Sequence, residues 1–170
     1  MNLRILGAVL IVAGCGSVGF LMAHQYKREI HYLRQLSQVL SAMICELDYR
    51  MTPLPELLGR TAETAGREMH RIFSNLSEML TRQEAADAAA CMVQTLKNHP
   101  EIPQKTNAIL QQLGKNLGRF DLSGQLQGLQ EVRTLCQREL EVLEKDRVQR
   151  IRSYQTLSLC AGAALAILFL

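Results

Sequence analysis

The sequence contains no tryptophan, and tyrosine and phenylalanine number four each in 170 residues. Aromatic side chains make up 5% of the chain, too few for a stacking platform that holds single-stranded nucleic acid or for a tryptophan-centred β-sandwich. Proline is scarce as well: Pro53, Pro55, Pro100 and Pro103 leave long stretches free to be helical. The five cysteines, at 15, 45, 91, 136 and 160, never fall in a C-x-x-C spacing, which argues against a metal knuckle or a disulfide framework. Cys45, Cys91 and Cys136 lie among apolar helical positions and read as small core residues in a reducing compartment. No G-x-x-x-x-G-K-S/T loop, G-x-S-x-G elbow or H-E-x-x-H pair occurs. His24 and His31 share a helix face without further ligands, and Glu46, Asp48, Glu139, Glu141 and Glu144 alternate with basic residues as a solvated face does. The expectation is a protein with no catalytic, cofactor or metal site, not an enzyme.

What is present is unevenly placed. Mean hydropathy is zero, yet residues 5–23 and 153–170 carry no charged side chain at all. A bilayer core about 30 Å thick needs about 20 helical residues. Leu3–Met22 meets that length, and the segment from Tyr154 to Leu170 is a shorter span. The expected organisation is therefore a transmembrane helix over 1–24, a helical bundle over 25–153 and a second transmembrane helix over 154–170. Ser158, Gly162 and Ala166 recur every four residues, a small face on which another membrane helix packs closely. Such a face admits a homo-oligomer.

The net charge of +3 follows the same division. Residues 1–39 carry Arg4, Lys27, Arg28 and Arg34 against Glu29 alone, whereas residues 40–140 hold 11 basic and 12 acidic groups. A nucleic-acid binder carries its surplus on the folded domain; here it borders the apolar ends, so no nucleic-acid partner is expected. Lys27, Arg28 and Arg34 follow the first run, and Lys145, Arg147, Arg150 and Arg152 precede the second. The positive-inside rule then puts the bundle in the cytoplasm and both termini across the membrane. A competing reading takes Val12-Ala13-Gly14-Cys15 as a lipobox, with Cys15 lipidated and the bundle outside the cytoplasm as a lipid-anchored or receptor-like protein. Gly14-x-Gly16-x-x-Gly19 matches the dinucleotide fingerprint by letter, but it lies inside a charge-free run instead of a strand–turn–helix unit.

Between the ends, apolar spacing has the helical period and almost never the alternation of a strand. The fold expected is all-α, an antiparallel bundle of about six helices. Ile30, Leu33, Leu36, Leu40, Met43, Ile44, Leu47 and Met51 form one face of a helix that continues the first apolar run. Thr52 is placed as the N-cap of the next helix, with Pro53 and Pro55 in its first turn and Leu54, Leu57 and Leu58 facing inward. That helix ends at Thr64-Ala65-Gly66. Another runs from Arg67 to Leu80. Thr81 and Glu84 have the spacing of a capping box, opening a helix whose inner face is Ala85, Ala88, Ala89, Met92, Val93 and Leu96. Beyond Pro100 and Pro103, Ile109, Leu110, Leu113 and Leu117 mark a further helix that ends in Leu117-Gly118-Arg119-Phe120. Asp121 caps the last one, where Leu126, Leu129, Val132, Cys136, Leu140 and Leu143 point inward.

Several of these pieces fall in an order that resembles a known family. Leu6-Gly7-Ala8-Val9-Leu10, then Thr52-Pro53-Leu54-Pro55-Glu56-Leu57-Leu58, then Leu113-Gly114-x-x-Leu117-Gly118-x-x-Asp121-x-x-x-Gln125, and finally Tyr154-x-x-Leu157 resemble stage III sporulation protein AB of endospore-forming bacteria. Tyr32-Leu33-Arg34-Gln35-Leu36 followed by the Thr52–Leu58 stretch is similar to the cytoplasmic helical domain of the type II secretion inner-membrane platform protein. That family has a glycine where this chain has Met51-Thr52. Cys15-Gly16 departs from the plain aliphatic residues of the sporulation family. The resemblance implies a scaffold in a sporulation membrane, docking a secretion-type ATPase and other proteins of the channel between mother cell and forespore.

Overall fold

In the computed structural model the backbone is described for residues 2–118 and 121–169, and side chains for 24–118, 121–145, 156 and 160. Six helices follow in order: α1 Asn2–Arg50, α2 Leu54–Thr64, α3 Arg67–Thr81, α4 Ala88–Lys97, α5 Gln104–Asn116 and α6 Leu122–Phe169. Among the described residues there is no strand. One unit comprises Glu29–Glu141 and holds α2 to α5 with parts of α1 and α6; the other comprises Met1–Arg28 and Val142–Leu170. Among the described residues no helix is long and apolar enough to cross a membrane. The side chains of the two apolar runs, Ser158, Gly162 and Ala166 included, lie outside the described residues.

The face expected of α1 is the face that is buried: Ile30, Leu33, Leu36, Leu40, Met43 and Leu47 are in the core, and Tyr32 and Val39 join them. Met51 is not, with 70% of its surface exposed, because α1 ends at Arg50 and Met51 takes a left-handed backbone with φ 51°. A methionine side chain accepts this geometry at a cost of roughly 1–2 kcal/mol. Thr52 is not a cap either. The residue before α2 is Pro53, and the buried Thr52 hydroxyl donates instead to Glu46 Oε1 at 3.4 Å. The Pro53 carbonyl accepts the Leu57 N–H at 2.9 Å, so the first turn closes without a side-chain acceptor.

Helices α2 and α3 form an antiparallel hairpin through Ala65 and Gly66. Leu57, Leu58 and Ala62 meet Met69, Ile72, Phe73 and Leu76 in the core, and Ser77 Oγ donates to the Pro55 carbonyl at 2.7 Å across the pair. Gly66 faces the end of the Gln35 side chain on α1: a Cβ there would stand 2.6 Å from Gln35 Nε2, which would have to swing aside. The expected capping box does not form. Thr81 belongs to α3 and its hydroxyl donates to the Ser77 carbonyl at 2.8 Å, while the chain reverses through Gln83 at φ 52°. The cap of α4 is Asp87, whose Oδ1 accepts the Ala90 N–H at 2.8 Å. Starting α4 at Ala88 turns Val93 outward, 42% exposed, against the inward position expected, and leaves Ala88, Cys91, Met92 and Leu96 buried.

Pro103 precedes α5 and offers no side-chain acceptor, so the first turn is capped from a different helix. Glu29 Oε1 on α1 accepts both the N–H and the hydroxyl proton of Thr106, each at 2.9 Å. Helix α6 starts where expected, and Leu129, Val132 and Cys136 are buried while Leu126 and Leu140 are half-buried. Cys136 Sγ donates to the Leu33 carbonyl at 3.3 Å, and burial pushes its thiol up to about 12.

Candidate docking end of the bundle

Two of the sporulation-like stretches, the first Thr52–Leu58 and the second Leu113–Gln125, are far apart in sequence and approach each other at Leu54 and Gly118. In the second motif Leu113 and Leu117 are buried on the inner side of α5. Gly114 sits between them because α4 passes too close for a side chain: a Cβ would lie 2.7 Å from Met92 Cβ and 3.4 Å from Ala89 Cα. Leu117 leaves the helix in extended conformation, and Gly118 turns the chain at φ 74°, a region that favours glycine. Arg119 and Phe120 lie outside the described residues. Asp121 Oδ1 then accepts the Gly124 N–H at 3.1 Å and its Oδ2 accepts the Ser123 hydroxyl at 2.8 Å. The Ser123 hydroxyl, with the Gly124 N–H, holds the Asp121 carboxyl below its ordinary value. Gln125 contributes its backbone N–H to the Asp121 carbonyl at 2.9 Å.

The first motif arrives at the same place. A Cβ on Gly118 would be 3.5 Å from Leu54 Cδ2, so Thr52-Pro53-Leu54-Pro55 packs at the turn between α5 and α6. Glu46 ties the end of α1 to this corner: its Oε1 stands 3.3 Å from Arg60 Nη1, 3.7 Å from Arg50 Nη1 and 3.4 Å from Thr52 Oγ1. Arg60 also pairs with Glu56 at 2.8 Å. These pairs are half solvated and each contributes ~0–1 kcal/mol; their effect is to fix the direction in which α1 ends. The consequence is an exposed pair, Tyr49 at 87% and Met51 at 70%. Tyrosine, methionine and arginine are the types enriched at protein interfaces, and Tyr49-Arg50-Met51 presents all three in consecutive positions on a well-braced corner.

A second feature is a groove of about 410 Å³ between α5 and α6. Ile109, Val132 and the 41%-exposed Leu135 line it, and the Lys105–Glu139 ion pair, 2.7 Å, crosses one end. Neither place assembles acid–base or nucleophilic chemistry. Among the described residues no three His, Cys, Asp or Glu side chains stand close enough to share a metal ion. Cys91 and Cys136 are buried as expected, but Cys45 is exposed, because it lies on the outer side of α1 while Met43 and Leu47 face the core and Ile44 is half-buried. This corner holds two residues whose roles differ from the pattern reading: Thr52, which is not the cap of α2, and Met51, which is exposed. Glu29, which caps α5, carries one signal in the sequence: it is the sole acidic residue among the first 39.

The fold is an all-α helical bundle, and among its described residues Thr52, Leu54 and Gly118 stand at one surface corner. The chain belongs to the stage III sporulation protein AB family, whose profile matches residues 4–170. It is 26% identical to stage III sporulation protein AB of Bacillus subtilis (strain 168) over 171 residues, covering 99% of each chain. A solved structure of a stage III sporulation protein AB shares the fold, with a TM-score of 0.63 at 22% identity over 72% of this chain and 98% of that one.

Proposed function

We propose that this sporulation protein is a non-enzymatic membrane platform that docks a secretion-type ATPase and other proteins of the mother cell–forespore channel. The observation that carries the reading is the approach of two family stretches at Leu54 and Gly118, beside the end of α1 where Thr52 bonds Glu46 and Tyr49 and Met51 are exposed at 87% and 70%. Residues spent on a glycine turn, a cap and a three-way ion pair, with no chemistry beside them, fit a surface whose shape matters. The apolar runs at 5–23 and 153–170 serve as membrane anchors, with the bundle in the mother-cell cytoplasm where such an ATPase has its nucleotide. The two helices that lead into those runs are tied to α5: Glu29 on α1 caps it, and Asn116 at its end donates to the Gly128 carbonyl on α6 at 3.3 Å.

The reading is tested with the full-length chain in membranes of sporulating cells. Tyr49→Ala/Met51→Ala should abolish co-purification of the ATPase while protein level and helical circular dichroism stay at wild-type values. Undiminished co-purification would remove the corner from the docking surface, and sporulation fully restored by the bundle without its apolar ends would refute the platform role.

A further inference from the structure

In the smaller unit, Tyr26 Oη donates to the Leu143 carbonyl at 3.0 Å, so α1 and α6 lie side by side at that level. Lys27 and Arg28 follow Tyr26, and Lys145 stands two residues beyond Leu143; all three are exposed. Neither the periodicity of α1 nor that of α6 says which residue of one helix stands beside which of the other; the tyrosine hydrogen bond does. In the sequence, the adjoining stretch of α6 adds Arg147, Arg150 and Arg152, and the acidic residues over 142–156 are Glu144 and Asp146. Lys27, Arg28 and Lys145 are thus brought from two helices to one level, and in the sequence the uncharged runs end at residue 23 on the N-terminal side and begin at residue 153 on the C-terminal side.

We infer that this level of the smaller unit is a contact surface for the headgroups of anionic phospholipids. The chemistry required is that of an amphiphile: an anionic phosphate for Lys27, Arg28 and Lys145, attached to an acyl chain that finds the adjoining apolar run. Tyrosine at such a level is at home in the interface, with its ring apolar and its hydroxyl satisfied by the Leu143 carbonyl. Each basic residue near an anionic surface contributes about fivefold in affinity, and the attraction is screened by salt. Polybasic clusters that flank membrane helices on their cytoplasmic side are the recurrent form of this recognition. The inference rests on the membrane-anchored reading above, and its test separates the two.

Full-length protein in nonionic micelles is titrated with short-chain phosphatidylglycerol, short-chain phosphatidylcholine or inorganic phosphate, and binding is read from the thermal unfolding midpoint. Phosphatidylglycerol should raise the midpoint at concentrations at least tenfold below those of phosphatidylcholine, and the difference should collapse at about 0.5 M salt. Lys27→Gln/Lys145→Gln should weaken the phosphatidylglycerol response roughly 20- to 30-fold and leave the phosphatidylcholine response alone, while Lys27→Arg/Lys145→Arg restores it. Equal responses to the two lipids, an unaffected glutamine variant, or full reproduction by inorganic phosphate would overturn the inference. Release of the chain from membranes by alkaline carbonate would overturn the membrane reading by itself, whatever the titration gives.

Discussion

Gly114→Ala opposes two physical effects of known size. Gly114 lies inside α5, where glycine is worse than alanine by about 0.5–1 kcal/mol, so helix propensity alone favours the substitution. Against it, the new Cβ would stand 2.7 Å from Met92 Cβ and 3.4 Å from the Ala89 backbone. The near neighbours are a side-chain root and a main-chain atom, and neither swings aside as the end of a flexible side chain does. Helices α4 and α5 must separate, and forced overpacking of this kind costs about 1–3 kcal/mol. The clash wins, and the net loss is about 1–2 kcal/mol, a fall of roughly 2–8 °C in the unfolding midpoint. Gly59→Ala in α2 is the control, because its Cβ would meet nothing nearer than Ser77 Oγ at 3.4 Å; propensity should then prevail and raise the midpoint by a few degrees. Circular dichroism of the full-length chain during heating reads both. In a Met92→Ala background the Cβ at position 92 remains, so most of the Gly114→Ala cost should persist, whereas Met92→Gly should remove it as a coupled pair does. A midpoint for Gly114→Ala at or above the parent value would refute the close-approach argument.

Glu29→Ala removes the acceptor shared by the N–H and hydroxyl of Thr106 and should cost about 1–2 kcal/mol in urea unfolding without changing the slope, because the buried Thr106 then loses its partner. Thiol labelling of the native chain at pH 8, mapped by mass spectrometry, should modify Cys45 and spare Cys91 and Cys136 until the protein is unfolded. Cys91 and Cys136 are buried, and their thiols are held in the neutral form; rapid labelling of Cys136 in the folded chain would contradict its packing against Leu33. Acid should destabilise the bundle in a defined window. Glu68 and Glu101 both titrate below their ordinary 4.5, each held chiefly by its hydrogen bond to backbone N–H, and Gln35 assists Glu68 while His99 assists Glu101. Their stabilisation is complete above the ordinary value and is lost as pH falls through the lower folded values; stability measured from pH 6 to pH 3 should decline below about 4.5, and Glu68→Gln should flatten that decline.

The α1 face from Ile30 to Leu47, the two breaks at the proline pairs and the Asp121 cap were all legible because each depends on residues within a few positions of one another. Periodicity, a missing N–H and an Asx cap are local causes with local effects. The same logic failed at Thr52 and at Thr81. Both have the side chain a cap needs, but Thr52 stands one residue ahead of the Pro53 cap with Pro55 offering no N–H, and Thr81 lies inside α3, so each hydroxyl donates instead to Glu46 or to the Ser77 carbonyl. Met51 and Val93 were misplaced because helix boundaries moved: α1 ends at Arg50, just before Met51, and α4 starts at Ala88 instead of directly after Thr81.

By itself, the amino-acid sequence determined that this protein is helical, that its ends are apolar and its middle electrically balanced, and which family it resembles. The tertiary structure decided the rest: that Glu29 caps α5 from α1, that Gly114 exists for the passage of Met92, and that Leu54 and Gly118 bring two motifs to one corner. The division has a physical origin. Helix formation sums short-range terms that a sequence displays in order, whereas the pairing of residues 60 or 80 positions apart depends on which apolar faces bury together, and only the assembled core selects among those pairings.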